Sequence, residues 1–117
     1  MAAPNVVAVA TITGKTAVQL VGTSATAIVS NSSGSNKVFK VNALYISNVD
    51  ASANFLITVD LFRSSTAYRM ALQMVVPVNS TIDLLSKSIY LEEGDSLRLT
   101  ANTASKLEAV ASYEEIS

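Results

Sequence analysis

The sequence predicts an all-β protein, a single antiparallel two-sheet β-sandwich of jelly-roll or immunoglobulin-like topology. Three observations carry that prediction. Apolar residues recur with period two in segment after segment, as in strands with one buried face. Turn residues interrupt these segments roughly every 8–12 positions. At 117 residues the chain has material for one hydrophobic core and not for two self-sufficient ones. No segment has a convincing helical period, so residues 1–117 read as one domain.

Taken in order, residues 6–13 (VVAVATIT), 15–21 (KTAVQLV) and 23–30 (TSATAIVS) are rich in Val, Ile and Thr, whose side chains suit a pleated surface. Gly14 and Gly22 divide them into three short strands. The polar run 31–36 (NSSGSN) is a loop. Alternation resumes in 37–49, with Phe39, Val41, Ala43 and Tyr45 on one side of a long strand or a bent pair. After a turn at 50–53, Phe55, Ile57, Val59 and Leu61 alternate with Leu56, Thr58, Asp60 and Phe62, the strongest strand pattern in the chain.

A turn at Arg63-Ser64-Ser65-Thr66 leads into 67–76 (AYRMALQMVV). Its Met-Ala-Leu-Gln-Met centre has helix propensity, but its period is two, so a strand is expected. Pro77 cannot donate a ladder hydrogen bond and marks a strand end or edge. Two short apolar pieces follow at 81–85 and 87–91. In Glu92-Glu93-Gly94-Asp95, Gly94 stands where a hairpin turn with a bulge requires positive φ. Leu97, Leu99 and Ala101 then define one strand, and Leu107, Ala109, Ala111 and Tyr113 the last.

Composition narrows the function. Eight Lys and Arg against nine Asp and Glu leave a net charge of −1, with a pI near 5.2, which argues against a basic nucleic-acid footprint. No run approaches the roughly 18 apolar residues needed to cross a bilayer as a helix, and the opening Met1-Ala2-Ala3-Pro4-Asn5 lacks the basic start of a signal peptide. Neither nucleic acid nor membrane is expected as a partner. Charged residues are only 15% of the chain, against a usual quarter or so, and 26 Ser and Thr with eight Asn replace them. The surface is therefore polar but weakly charged, and part of its apolar area is expected to be covered in use by identical copies or by another protein.

Chemistry is scarce. Without Cys, His or Trp the chain has no thiolate or imidazole metal ligand, cysteine nucleophile or histidine base. Glu92, Glu93 and Asp95 form the one dense carboxylate group and read as a solvated turn, because the Asp/Asn/Gly alternation of a calcium loop is missing. Ser86 and Ser88 flank Lys87, yet strand neighbours point to opposite faces, which argues against a dyad. Gly14, Gly22, Gly34 and Gly94 are isolated and cradle no phosphate. Lys37, Lys40, Arg63 and Arg69 are scattered among acidic and neutral positions. Tyr45, Tyr68, Tyr90 and Tyr113 lie on alternating apolar faces and read as core or interface before sugar platforms. No enzyme, cofactor or metal is expected.

Several stretches carry a resemblance. They are Ala10-Thr11-Ile12-Thr13-Gly14-Lys15, Lys37-Val38-Phe39-Lys40-Val41-Asn42 with Leu44-Tyr45 and Ser47-Asn48-Val49-Asp50, Val76-Pro77 through Ser80-Thr81, Ser88 through Leu97, and Ser112-Tyr113-Glu114-Glu115-Ile116. Along nearly the whole chain these resemble small all-β virion structural proteins of tailed bacteriophages, especially marine phages such as those of cyanobacteria. The resemblance implies a virion location and a head accessory or decoration (cement) role, with the major capsid protein or other virion proteins as partners and self-association into a homo-oligomer. A tail, neck or fibre component and a host-glycan module are the alternatives. The family's pattern marks no catalytic residue. Residues 1–12 are a candidate attachment or exchanged strand whose Val6, Val7, Val9 and Ile12 would form the assembly interface by pairing with a neighbour's open sheet edge; the plainer reading is a first strand of its own sandwich.

Overall fold

Nine strands and no helix run through residues 11–117, the part of the chain described by the structure, a computed structural model. They are β1 (Ile12–Leu20), β2 (Thr26–Ser30), β3 (Val38–Asn48), β4 (Phe55–Arg63), β5 (Thr66–Val76), β6 (Thr81–Asp83), β7 (Ile89–Leu91), β8 (Ser96–Ala101) and β9 (Leu107–Ile116). One antiparallel sheet has the order β1-β9-β3, with β6 and β7 both pairing the far side of β3; the other has the order β2-β8-β4-β5. The pairing is nested: first strand with last, second with second-last, third with β6 and β7, and the β4–β5 hairpin at the centre. A long hairpin rolled up this way is a jelly roll, and the immunoglobulin-like alternative falls away.

The core lies between the sheets. Ile57, Val59, Leu97, Leu99 and Val29 from one sheet meet Val41, Leu44, Ile46, Leu107, Ala109 and Ala111 from the other, all buried. Burial contributes roughly 1.5–3 kcal/mol for each large side chain. Tyr113 closes one end, its ring 5.6 Å from that of Phe39.

Four local expectations are corrected. Gly14 does not end a strand: β1 runs through it because β9 offers an unbroken partner from Ile116 to Glu108. In β3 a bulge between Val41 and Ala43 reverses the faces, so Phe39 and Val41 point inward but Leu44 and Ile46 take over beyond Asn42, and Tyr45 is exposed. The Gly94 turn has the expected positive φ of 89°, yet it is no hairpin, since β7 pairs with β3 while β8 pairs with β2 and β4 in the opposite sheet. Finally, Asp95 in that turn is buried and not solvated. The Arg63-Ser64-Ser65-Thr66 hairpin is as expected, with Ser64 and Ser65 at φ of 52° and 61°, the pair of left-handed residues that a two-residue I′ turn requires.

Candidate functional site

The apolar side chains that the core does not absorb collect at the sheets' open edges. β1 is one edge of its sheet. Its inward Ala17 packs on the core, while Val18, Leu20 and Ile12 point away and are exposed. Register extends this surface across three strands, because Val18 faces Val110 of β9 and Val110 faces Tyr45 of β3. Gln19 turns back and donates from Nε2 to the Ala27 carbonyl at 3.1 Å, which fixes the end of β1 against the second sheet.

β5, the edge of the other sheet, exposes Tyr68, Met70, Leu72, Met74 and Val75. Two register shifts against β4, between Ile57 and Val59 and between Val59 and Asp60, break its strict alternation. Gln73 lies in the first of these shifts with a φ of 50°. Its backbone N–H donates to Thr58 Oγ1 at 3.1 Å. Bulges of this kind turn an edge away from strand pairing, so β5 presents mainly side chains, while β1, regular over nine residues, presents a backbone edge that no other described strand pairs.

An ion pair with a buried carboxylate and a part-exposed guanidinium joins the loops at one end. Arg63 donates to Asp95 from Nε to Oδ1 at 2.8 Å and from Nη2 to Oδ2 at 2.5 Å, and the Glu92 N–H adds a third bond at 2.8 Å. Burial pushes the Asp95 carboxyl up, but these three donors outweigh it and hold it below its ordinary value. Gly94 N–H donates to the Asn31 carbonyl at 2.8 Å, and Asn31 N–H to that of Asp95 at 2.9 Å. This is architecture, a fork-to-carboxylate clamp that ties β4 to the loops after β2 and β7. Elsewhere Glu115 takes Lys15 at 3.0 Å and Lys37 at 3.1 Å.

The outer face of the four-stranded sheet carries a polar depression of about 360 Å³ between Asp60, Arg69, Arg98, Thr58 and Gln73. In sequence Arg69 reads as scattered charge, and Arg98 carries no signal of its own. The signal available was the outward parity of Asp60, a charge in the middle of the clearest strand.

Of the residues expected at an assembly interface, Ile12 opens β1, pairs with Ile116 of the same chain and is 55% exposed. Val6, Val7 and Val9, and with them most of the proposed attachment segment, lie outside the described residues. Ser86, Lys87 and Ser88 are exposed. Tyr45, Tyr68 and Tyr90 are exposed too, and Tyr113 alone of the four packs on the core. Among the described residues no group of three or more acidic side chains could hold a metal ion.

No protein-family model matches the sequence, and no curated protein matches it. The chain is similar to a solved structure from work on Bacillus endospore appendages, described as a family of disulfide-linked pili, with a TM-score of 0.53 at 13% identity over 92% of this chain and 88% of that one. At such identity the likeness is one of fold, and it extends over nearly the full length of both chains.

Proposed function

We propose that the protein is a non-enzymatic structural subunit that works by docking among other proteins of a tailed-phage particle, as a decoration or cement protein of the head. The observation that carries this reading is the coincidence of open edge and apolar surface: in both sheets the edge strands β1 and β5 bear large exposed apolar side chains. The resemblance of the sequence to phage virion proteins supplies the particle, and the major capsid protein is the natural partner. Each docked copy adds its interface free energy to the assembled shell and not to free subunits, so many weak contacts stabilise the whole by linkage. Self-association would multiply that effect through multivalent attachment.

A second reading is a tail, neck or fibre component of the same particle. Its support is the fold shared with a pilus chain, since a jelly roll with two open edges suits head-to-tail repetition. Disulfide linkage is outside the chemistry of this chain, which has no cysteine, so any such series would be held by packing and strand pairing. Mass spectrometry of purified particles, with gold labelling to locate the chain, tests both readings. Many copies on heads support decoration, label confined to tails moves the protein to the second reading, and particles without the chain overturn both.

A further inference from the structure

On the outer face of the four-stranded sheet, the β4–β8 and β4–β5 registers set Arg98, Asp60 and Arg69 in one row. The Asp60 side chain is 2% exposed and receives Arg69 Nη1 at 2.6 Å. That bond commits the row's single negative charge to one of its two positive ones. Arg98 is left over: none of the described residues forms an ion pair with it, and its Nε is buried with no hydrogen-bond partner. A guanidinium with one buried N–H left unsatisfied is an incomplete arrangement, since Arg is a rigid fork built for two parallel bonds to an oxyanion.

The surroundings hold that fork in place. The Arg98 Cζ lies over the Phe62 ring, 4.1 Å from its centre, a cation–π contact that holds the guanidinium against the ring. Thr58 and Thr100 face each other one step along the sheet and supply hydroxyls to the same depression. Gln73, strained at a φ of 50°, borders it from the β5 bulge; bulges of this type re-aim side chains at binding sites.

We propose that this depression binds a carboxylate group with Arg98 as the anchoring donor, and that in use the carboxylate belongs to an acidic side chain of a docked protein. One surplus positive charge matches one negative charge, whereas a phosphate dianion would leave excess negative charge beside Asp60. A protein is favoured over an acidic sugar because Arg98 already covers a face of Phe62, the one aromatic ring here, leaving it poorly placed as a stacking platform. Leu72, 65% exposed at the rim, adds the apolar contact that a protein surface would bring. The carboxylate site stands on its own geometry; only the protein source rests on the proposed role.

The test is a titration of ¹⁵N-labelled protein with sodium acetate, with sodium chloride at equal ionic strength as the control. Saturable shifts of the Arg98 Nε–H and the Gln73 amide with acetate alone are expected. Arg98→Lys, which keeps the charge but loses the fork, should weaken binding about tenfold, and Arg98→Gln should abolish it while melting remains cooperative. Identical responses to acetate and chloride in the wild type, or undiminished binding in Arg98→Gln, overturn the site whatever happens on particles. Glucuronate binding tenfold tighter than acetate overturns the protein source and leaves the site. So does equal co-sedimentation of wild type and Arg98→Gln with phage heads when acetate binds the wild type.

Discussion

Val18 lies directly across the β1–β9 ladder from Val110, and both side chains stand in solvent on the face turned away from the core. Val18 is 75% exposed, in a strand whose inward Ala17 is packed. A cross-strand apolar pair adds stability when something covers it, and nothing in the described residues covers this one. It lies on the β1 edge, which pairs with no second strand among the described residues, and the proposed docking would begin there.

Replacing Val18 and Leu20 together with Lys should separate folding from docking. Both positions are exposed, so stability is expected to change by no more than about 0.5 kcal/mol. A charged edge resists strand addition, so binding to particles should be lost. Thermal melting and co-sedimentation, measured on the same preparation, check the two halves of this expectation.

Gly94→Val should destabilise the fold by about 1–3 kcal/mol, the cost of holding a β-branched residue in a left-handed conformation. The φ of 89° forces that strain, and a Cβ there would also come within 3.3 Å of Ser33 Oγ. Denaturant unfolding reads the change directly, and a wild-type midpoint would mean that the turn relaxes freely.

The hairpin Ser64-Ser65 offers the opposite sign. Both residues hold positive φ, which costs non-glycine residues about 1 kcal/mol or more each. Asn-Gly, the pair this turn prefers, should therefore raise stability by about 1 kcal/mol, seen as a higher melting temperature.

Acid should loosen the clamp at Arg63. The carboxyls of Asp95 and Glu115 are held below their ordinary values of 3.8 and 4.5: burial is outweighed at Asp95 by Arg63 and the Glu92 N–H, and at Glu115 by Lys15 and Lys37. Groups with depressed values stabilise the fold in full above those ordinary values and lose that contribution as pH falls through the lower, folded ones. Stability should thus stay nearly level from about pH 5 to 8, a range in which histidine would otherwise titrate and this chain has none. It should then decline in acid. Arg63→Gln should lower stability at neutral pH and shrink the acid decline, as stability curves at several pH values would reveal.

Much of the architecture was legible because local pattern and burial coincide. Ile57 and Val59, or Leu97 and Leu99, alternate in sequence and are buried in the fold. Legibility ended wherever a distant partner decides. The reversal of faces at Asn42 follows from the register of β3 against β9, some seventy residues away in sequence, so Tyr45 was assigned to the wrong side. Gly94 signalled its own φ but not the sheets of the strands on either side, because ladder partners leave no local trace. Gly14 reads as a break until β9 lies alongside it. The same holds for the pocket: Asp60 and Arg98 each look like ordinary outward charges, and only the β4–β5 and β4–β8 registers set them in one row with Arg69.

In the proposed role this jelly roll acts through its exposed edges on a particle. Phage heads lacking the chain, mixed with purified protein and sedimented, test it most directly. Saturable binding at a fixed ratio of copies per head, abolished by the Val18→Lys and Leu20→Lys pair, is the predicted result. Protein that stays in the supernatant at every concentration, or binding that the edge substitutions leave untouched, would contradict it.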